Sequence, residues 1–183
     1  GMMAMVDPPR PSVPQAVADC HRAGIHVIMV TGDHPVTAMA ISRSLGLVTL
    51  PNLTTAPPDE TDFSGYAAVV TGEDMEKFGD AEWDRVLQCA EHVFARTLPE
   101  QKQQLVKRLS AMGHIVAMTG DGVNDAPALK AAHVGVGMGS GTAVAKEAAQ
   151  IVVCDDDFGS VVVGVREGRQ IFENLKKAVC YVL

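Results

Sequence analysis

The sequence predicts an α/β protein built on a doubly wound, mostly parallel sheet. Three observations lead to it. Short apolar runs recur at residues 27–31, 67–71, 92–95, 115–119, 134–138 and 151–154. Most are continuous rather than alternating, as in strands covered on both faces. Most are also followed by a helical pattern, and that βα alternation implies helices on both sides of a parallel sheet, with ligands at the carboxyl ends of the strands.

Taken in order, the opening Gly1-Met2-Met3-Ala4-Met5-Val6 reads as a strand entered midway and stopped by Asp7-Pro8-Pro9-Arg10. Residues 49–64 carry Pro51, Pro57 and Pro58 among Asn, Thr and Asp, which predicts a loop or insertion and the least order in the chain. After Phe94-Ala95-Arg96 a helix opens on the capping box Thr97-Leu98-Pro99-Glu100, carries the stripe Leu105, Val106 and Leu109, and stops at Gly113. Residues 135–141 place a glycine at every second position, with neither G-x-G-x-x-G nor a Walker lysine, and read as a strand ending in a tight turn before a helix over 142–149. The pattern Val161, Val165, Phe172, Leu175, Val179 predicts a long last helix, still becoming more apolar at Leu183 with no stop signal. A start in mid-strand, an end in mid-helix and the lack of a signal-peptide pattern lead us to expect a piece of a longer protein.

Composition narrows the function. A chain of 183 residues, 47% of them hydrophobic, can bury the core of one domain. No apolar run approaches the ~18 residues of a membrane span. With 15 Lys+Arg against 22 Asp+Glu the net charge is -7, which argues against nucleic acid and other polyanions. Aromatic residues, at 4%, are too few for base-stacking or carbohydrate platforms. Cys20, Cys89, Cys154 and Cys180 form no C-x-x-C pair and read as buried thiols in a reducing compartment.

One pattern is repeated. Residues 25–33 and 114–121 are each an apolar strand that delivers Thr-Gly-Asp at its end, as Thr31-Gly32-Asp33 and Thr119-Gly120-Asp121. Two strands would thus bring hydroxyls, permissive backbone and carboxylates to one sheet edge. A third near-copy, Thr71-Gly72-Glu73, carries the other reading: strand-to-helix turn chemistry with the acid as N-cap. The second copy continues to Lys130 and projects Asp121, Asn124 and Asp125 from the start of a helix at i, i+3 and i+4. Close carboxylates repel by about 1–4 kcal/mol per pair, so a cation is called for. Mg²⁺ fits, because it commonly shares its shell between one or two carboxylates and a phosphate. Capping remains the alternative for Asn124 and Asp125. Lys102, at the end of the Leu105 stripe, can snorkel toward phosphoryl oxygens, although by spacing alone it reads first as a surface lysine.

Together these residues closely resemble the phosphorylation domain of the P-type ATPases, ion pumps of the haloacid dehalogenase superfamily. Asp7-Pro8-Pro9-Arg10, Met29-Val30-Thr31-Gly32-Asp33, Val93-Phe94-Ala95-Arg96-Thr97 with Lys102, and the whole of residues 119–130 match that family's pattern in its order. The resemblance covers about residues 7–48 and 69–183 and points to cation pumps of the calcium or sodium/potassium class. Asp33-His34-Pro35-Val36-Thr37-Ala38 and residues 167–177 resemble the sodium/potassium type, and residues 139–146 the calcium type, which leaves the ion open.

The resemblance implies that Thr31 and Lys102 hold the transferred phosphoryl oxygens, that Asp121 coordinates Mg²⁺, that Asn124 bonds the phosphate and that Asp125 orders the loop. Gly32 and Asp33 would meet the actuator domain that drives hydrolysis, and Asp7 and Arg10 would sit at the hinge to the nucleotide-binding domain, with Arg10 near the nucleotide. Mg²⁺ is then the cofactor and ATP the substrate of a multi-pass membrane parent, with this piece on its cytoplasmic face. The chain would be the C-terminal part of a phosphorylation domain, with a variable loop at about 49–66 and a stalk helix from about 158 to 183. Its partners would be the nucleotide-binding, actuator and membrane domains of the same parent. The family's nucleophilic Asp-Lys-Thr-Gly-Thr block is absent, and Asp155-Asp156-Asp157-Phe158-Gly159 lacks the Thr or Val of a stand-in. The piece alone is therefore expected to be inactive and to expose sheet edges that favour self-association. The alternatives are a stand-alone Mg²⁺-dependent phosphatase of the same superfamily and a non-catalytic phosphate- or metal-binding module.

Overall fold

The computed structural model describes residues 8–57 and 60–182. The opening run read as a strand, with Asp7 at its end, lies outside the described residues. Helix α1 (Val13–Arg22) carries Pro14 in its first turn and buries Ala16, Val17 and Cys20. Strand β1 (Met29–Val30) follows, then α2 (Pro35–Ser44), β2 (Ala67–Thr71), α3 (Gly72–Lys77), α4 (Asp80–Leu87) and β3 (Glu91–Ala95). The second half runs α5 (Pro99–Ala111), β4 (Ala117–Gly120), a 3₁₀ turn at Val123–Asp125, α6 (Ala126–Ala131), β5 (Val134–Met138), α7 (Ala143–Ala148), β6 (Ile151–Val153) and α8 (Phe158–Val182).

All the strand pairs are parallel, as the continuous apolar runs predict. They form two three-stranded sheets, in the orders β1-β3-β2 and β4-β5-β6. The inner strands β3 and β5 are buried on both faces, and of the outer strands β2 is largely buried while β1 and β4 are not. Val93, Phe94 and Ala95 of β3 are wholly buried, and Val136 of β5 nearly so. By contrast both residues of β1 are half-buried, Ala117 opens β4 exposed, and Ile115 just before it is 79% exposed. Among the described residues β1 and β4 are each paired on one side only. Their apolar sequence is that of sheet-interior strands, and the second neighbour that would bury them is not among the described residues.

Trp83, Phe94 and Leu105 centre the largest apolar cluster, between the first sheet and helices α4 and α5. On the other face Ala38 of α2 packs on Val93 and Ala95. Under the second sheet, Leu129 of α6 meets Ala145 and Ala148 of α7. The helix α5 starts one residue later than the sequence suggests. Leu98 is its N-cap, and the Gln101 side chain reaches back to accept from the Leu98 N–H at 2.9 Å. Thr97 is drawn away from capping because its hydroxyl and its N–H both donate to the Thr31 carbonyl, each at 3.1 Å. The expected stop at Gly113 holds, with a left-handed φ of 88° that only glycine adopts without strain.

The Pro-rich segment is tied at its entrance. The Glu91 carboxylate accepts from the Thr49 N–H, the Thr49 hydroxyl and the Leu50 N–H at 2.7–2.9 Å. Replacing Glu91 with Ala removes three charge-assisted bonds at a partly solvated site, and we expect about 1 kcal/mol of destabilisation. Limited proteolysis checks it: cleavage within residues 49–57 should accelerate while the Trp83 core stays protected.

Helix α8, the expected long last helix, is mostly exposed, with Ile171, Phe172, Leu175, Val179 and Tyr181 facing solvent. Arg169 fastens it to the end of α1 through the Ala23 carbonyl at 3.0 Å. Among the described residues no helix is long and apolar enough to cross a membrane.

Candidate functional site

The carboxyl ends of β1 and β4 open on one cleft of about 360 Å³. Thr31 and Gly32 line it from the first sheet, and Thr119, Gly120 and Asp121 from the second. The two copies of the repeated strand end are therefore brought together, while the third copy is not among the lining residues.

None of the three acids serves as an N-cap, contrary to the turn reading. His34 caps α2, its Nδ1 accepting from the Val36 N–H at 3.3 Å. Thr71 caps α3, and Asp74, not Glu73, answers the Thr71 N–H at 3.0 Å. Beyond Asp121 the 3₁₀ turn is capped at Gly122. Asp33 and Asp121 are thus exposed carboxylates at the strand ends, with no helix to claim them.

Lys102 and Asp125 form the floor. The Lys102 Nζ donates to Asp125 Oδ1 at 2.7 Å, and the two side chains keep only 13% and 11% of their exposure. The surface-lysine reading fails here because α5 packs against the turn that carries Asp125, a partner 23 positions away. The other carboxylate oxygen, Oδ2, accepts from the Gly122 N–H at 3.2 Å and so pins the turn. Gly120 allows this close approach: a Cβ there would lie 2.5 Å from Asp125 Cβ. Above them Thr31 is fixed by its N–H donating to the Phe94 carbonyl at 2.8 Å, and its hydroxyl accepts from the Asp33 N–H at 3.1 Å.

Thr31, Gly32, Lys102, Asp121 and Asp125 line the cleft. Asp33 and Asn124 are exposed next to lining residues but are not among them. Arg10 lies elsewhere, donating to the Asp155 carbonyl at 3.2 Å. Asp7 falls outside the described residues. Met118 and Met138 also line the cleft, which no sequence signal indicated. Gln101 was missed as well; besides capping α5 it donates to the Gly72 carbonyl at 2.9 Å and ties β2's end to α5. A Gln three residues after the true cap, Leu98, was the available signal.

Among the described residues no three His, Cys, Asp or Glu side chains gather as a metal cage. The cleft instead offers the Asp121 carboxylate beside a carboxylate already neutralised by Lys102. That donor set suits Mg²⁺, which binds through one or two carboxylates and keeps waters and phosphate oxygens for the remainder.

A profile of the haloacid dehalogenase-like hydrolases matches residues 1–133. The chain belongs to this family. Among curated proteins, this haloacid dehalogenase-like chain is 50% identical to the sodium/potassium-transporting ATPase alpha subunit of Drosophila melanogaster. It is 48% identical to the alpha-3 subunit of Homo sapiens. Both alignments span 100% of this chain, the Pro-rich segment included, and 19% of the relative. The chain thus spans about a fifth of the length of the curated relatives it matches. A crystal structure of a zinc-transporting PIB-type ATPase superposes with a TM-score of 0.66 at 27% identity, over 93% of this chain and 21% of that one. The catalytic domain of a CPx-ATPase shares the fold, with a TM-score of 0.57 at 23% identity over 84% of this chain and 44% of that one.

Proposed function

We propose that this chain is part of the phosphorylation domain of an ATP-driven cation pump of the sodium/potassium class, on the cytoplasmic face of its membrane. The observation that carries the reading is the single cleft into which β1 and β4 deliver Thr31, Gly32 and Asp121 over the Lys102–Asp125 pair. The sodium/potassium-transporting relatives at 48–50% identity support that class. Thr31 and Lys102 bind the phosphoryl oxygens, one as a hydroxyl donor and the other as a point charge. Asp125 orients Lys102 and holds the turn, and Asn124 on that turn bonds the phosphate from the rim. Asp121 is the residue that holds Mg²⁺, whose contribution when bound is to neutralise charge on the phosphoryl group. Gly32 and Asp33 face the actuator domain, and Asp7 and Arg10 the hinge to the nucleotide-binding domain that presents ATP.

The nucleophilic aspartate comes from another segment of the parent. The half-buried edges of β1 and β4 support this, since a strand between them would cover both and end at the cleft. The same free edges favour self-association of the chain alone. The test is a Mg²⁺ titration of the chain with and without a peptide carrying an apolar strand followed by Asp-Lys-Thr-Gly-Thr. The peptide should raise Mg²⁺ affinity, and Asp121→Asn should abolish the gain. No change on adding the peptide would count against a shared site, and Mg²⁺-dependent phosphatase activity of the chain alone would favour a stand-alone enzyme.

A further inference from the structure

The alternating glycines at the end of β5 have no part in the function argued so far. Their geometry gives them one. The turn Gly139-Ser140-Gly141-Thr142 is sewn on one side to the end of β6: Gly139 N–H donates to the Val153 carbonyl at 2.7 Å, and Ser140 N–H to Asp156 Oδ1 at 2.9 Å. A Cβ on Gly139 would lie 2.9 Å from the Cys154 carbonyl oxygen, so the two backbones are in direct contact. Asp156 itself adopts a left-handed φ of 57°, which places its carboxylate under the turn.

On its other side the turn grips Asp121. Thr142 N–H donates to the Asp121 carbonyl at 2.8 Å, and the Thr142 hydroxyl approaches the same oxygen at 3.3 Å. A Cβ on Gly141 would stand 2.9 Å from the Asp121 carbonyl oxygen and 3.0 Å from its Cα. It would also meet the Met138 carbonyl oxygen at 2.9 Å, so backbone blocks it on both sides and no flexible side chain can move away. Asp121 lies beyond the last paired residue of β4, Gly120, and these contacts fix its backbone where the ladder no longer does.

We propose that Gly141 and Thr142 are positioning residues for Asp121: the turn sets the place of its backbone and hence of the carboxylate offered to Mg²⁺. The inference rests on the reading of Asp121 as the Mg²⁺ ligand. Groups that orient a metal ligand from behind commonly change metal affinity by about 10- to 100-fold when removed.

The experiment is a titration of the chain with Mg²⁺ alone, followed by the amide NMR signals of Gly120 and Asp121, with thermal unfolding measured in parallel. Gly141→Ala and Thr142→Val should each weaken Mg²⁺ about tenfold and displace the Asp121 amide signal before metal is added. Thr142→Ser, which keeps the hydroxyl and the cap on Ala145 N–H, should restore wild-type affinity. Thr142→Val also loses that cap, so its stability falls; the Ser rescue and the Asp121 signal distinguish positioning from a general loss. Wild-type affinity in both Gly141→Ala and Thr142→Val, with binding abolished by Asp121→Asn, overturns the inference alone. Unchanged binding in Asp121→Asn overturns the Mg²⁺ reading of that residue and the inference with it.

Discussion

Replacing Lys102 with Met is expected to destabilise the chain by about 2–4 kcal/mol, an unusually large effect for a residue that spacing assigns to the surface. The Asp125 carboxylate keeps 11% of its exposure, so it cannot recover the lost partner with a full shell of water. Removing one member of a buried ion pair commonly costs about 3–5 kcal/mol, and the residual access to the cleft lowers that somewhat. Asp125 also anchors the turn through Gly122 N–H, so the strain spreads to the start of α6. The double variant Lys102→Met, Asp125→Asn leaves no lone charge and keeps an oxygen for Gly122. It should recover about 1–2 kcal/mol of the loss, which a double-mutant cycle by urea unfolding reads directly. A loss in Lys102→Met below about 0.5 kcal/mol would mean that the pair behaves as an exposed one, screened by solvent.

That pair also marks where the sequence stops being informative. The strand ends are legible because period and turn chemistry are local: an apolar run followed by Thr-Gly-Asp says in eight residues what it will become. Thr31 and Asp121 nevertheless line one cleft although β1 and β4 lie in separate sheets, so strand pairing alone does not bring them together. Lys102 is different, since its meaning depends on a carboxylate 23 residues away that only the docking of α5 on the 3₁₀ turn brings near. The start of α5 escapes local reading for a related reason. Thr97 has the side chain of a cap, but a tertiary partner, the Thr31 carbonyl, engages it. Gly139 and Gly141, just after β5, are legible as a tight turn and not as a support, because the backbone they touch, Cys154 and Asp121 respectively, comes from flanking βα units.

The same limit applies to His92, which no motif singles out and which we expect to make the fold acid-sensitive. It is 2% exposed at the amino end of β3, with its ring parallel to that of Phe94 at 6.3 Å. Nε2–H donates to the Val86 carbonyl at 2.9 Å, and Nδ1 then accepts from Nε2 of His26 at 3.2 Å. Both ring nitrogens of His92 are thus engaged in a way that suits the neutral form, because a proton on Nδ1 would face the His26 N–H. Burial, with the neighbouring His26 adding to it, pushes the imidazole down from 6.5 to about 4. The sign follows from linkage. The unfolded chain takes up this proton near pH 6.5 and the folded chain only near 4, so stability is full above 6.5 and falls as the pH drops between those values. The expected loss is about 2 kcal/mol by pH 5 and about 3 kcal/mol once both states are protonated. Urea unfolding at pH 7.5 and pH 5.0 measures it in a window that stays above most carboxylate titrations. In His92→Gln the amide can still donate to Val86 but has nothing to titrate, and the difference between the two pH values should shrink by most of that 2 kcal/mol. Equal pH dependence in the variant and the wild type would place the acid sensitivity elsewhere, whatever the variant's overall stability.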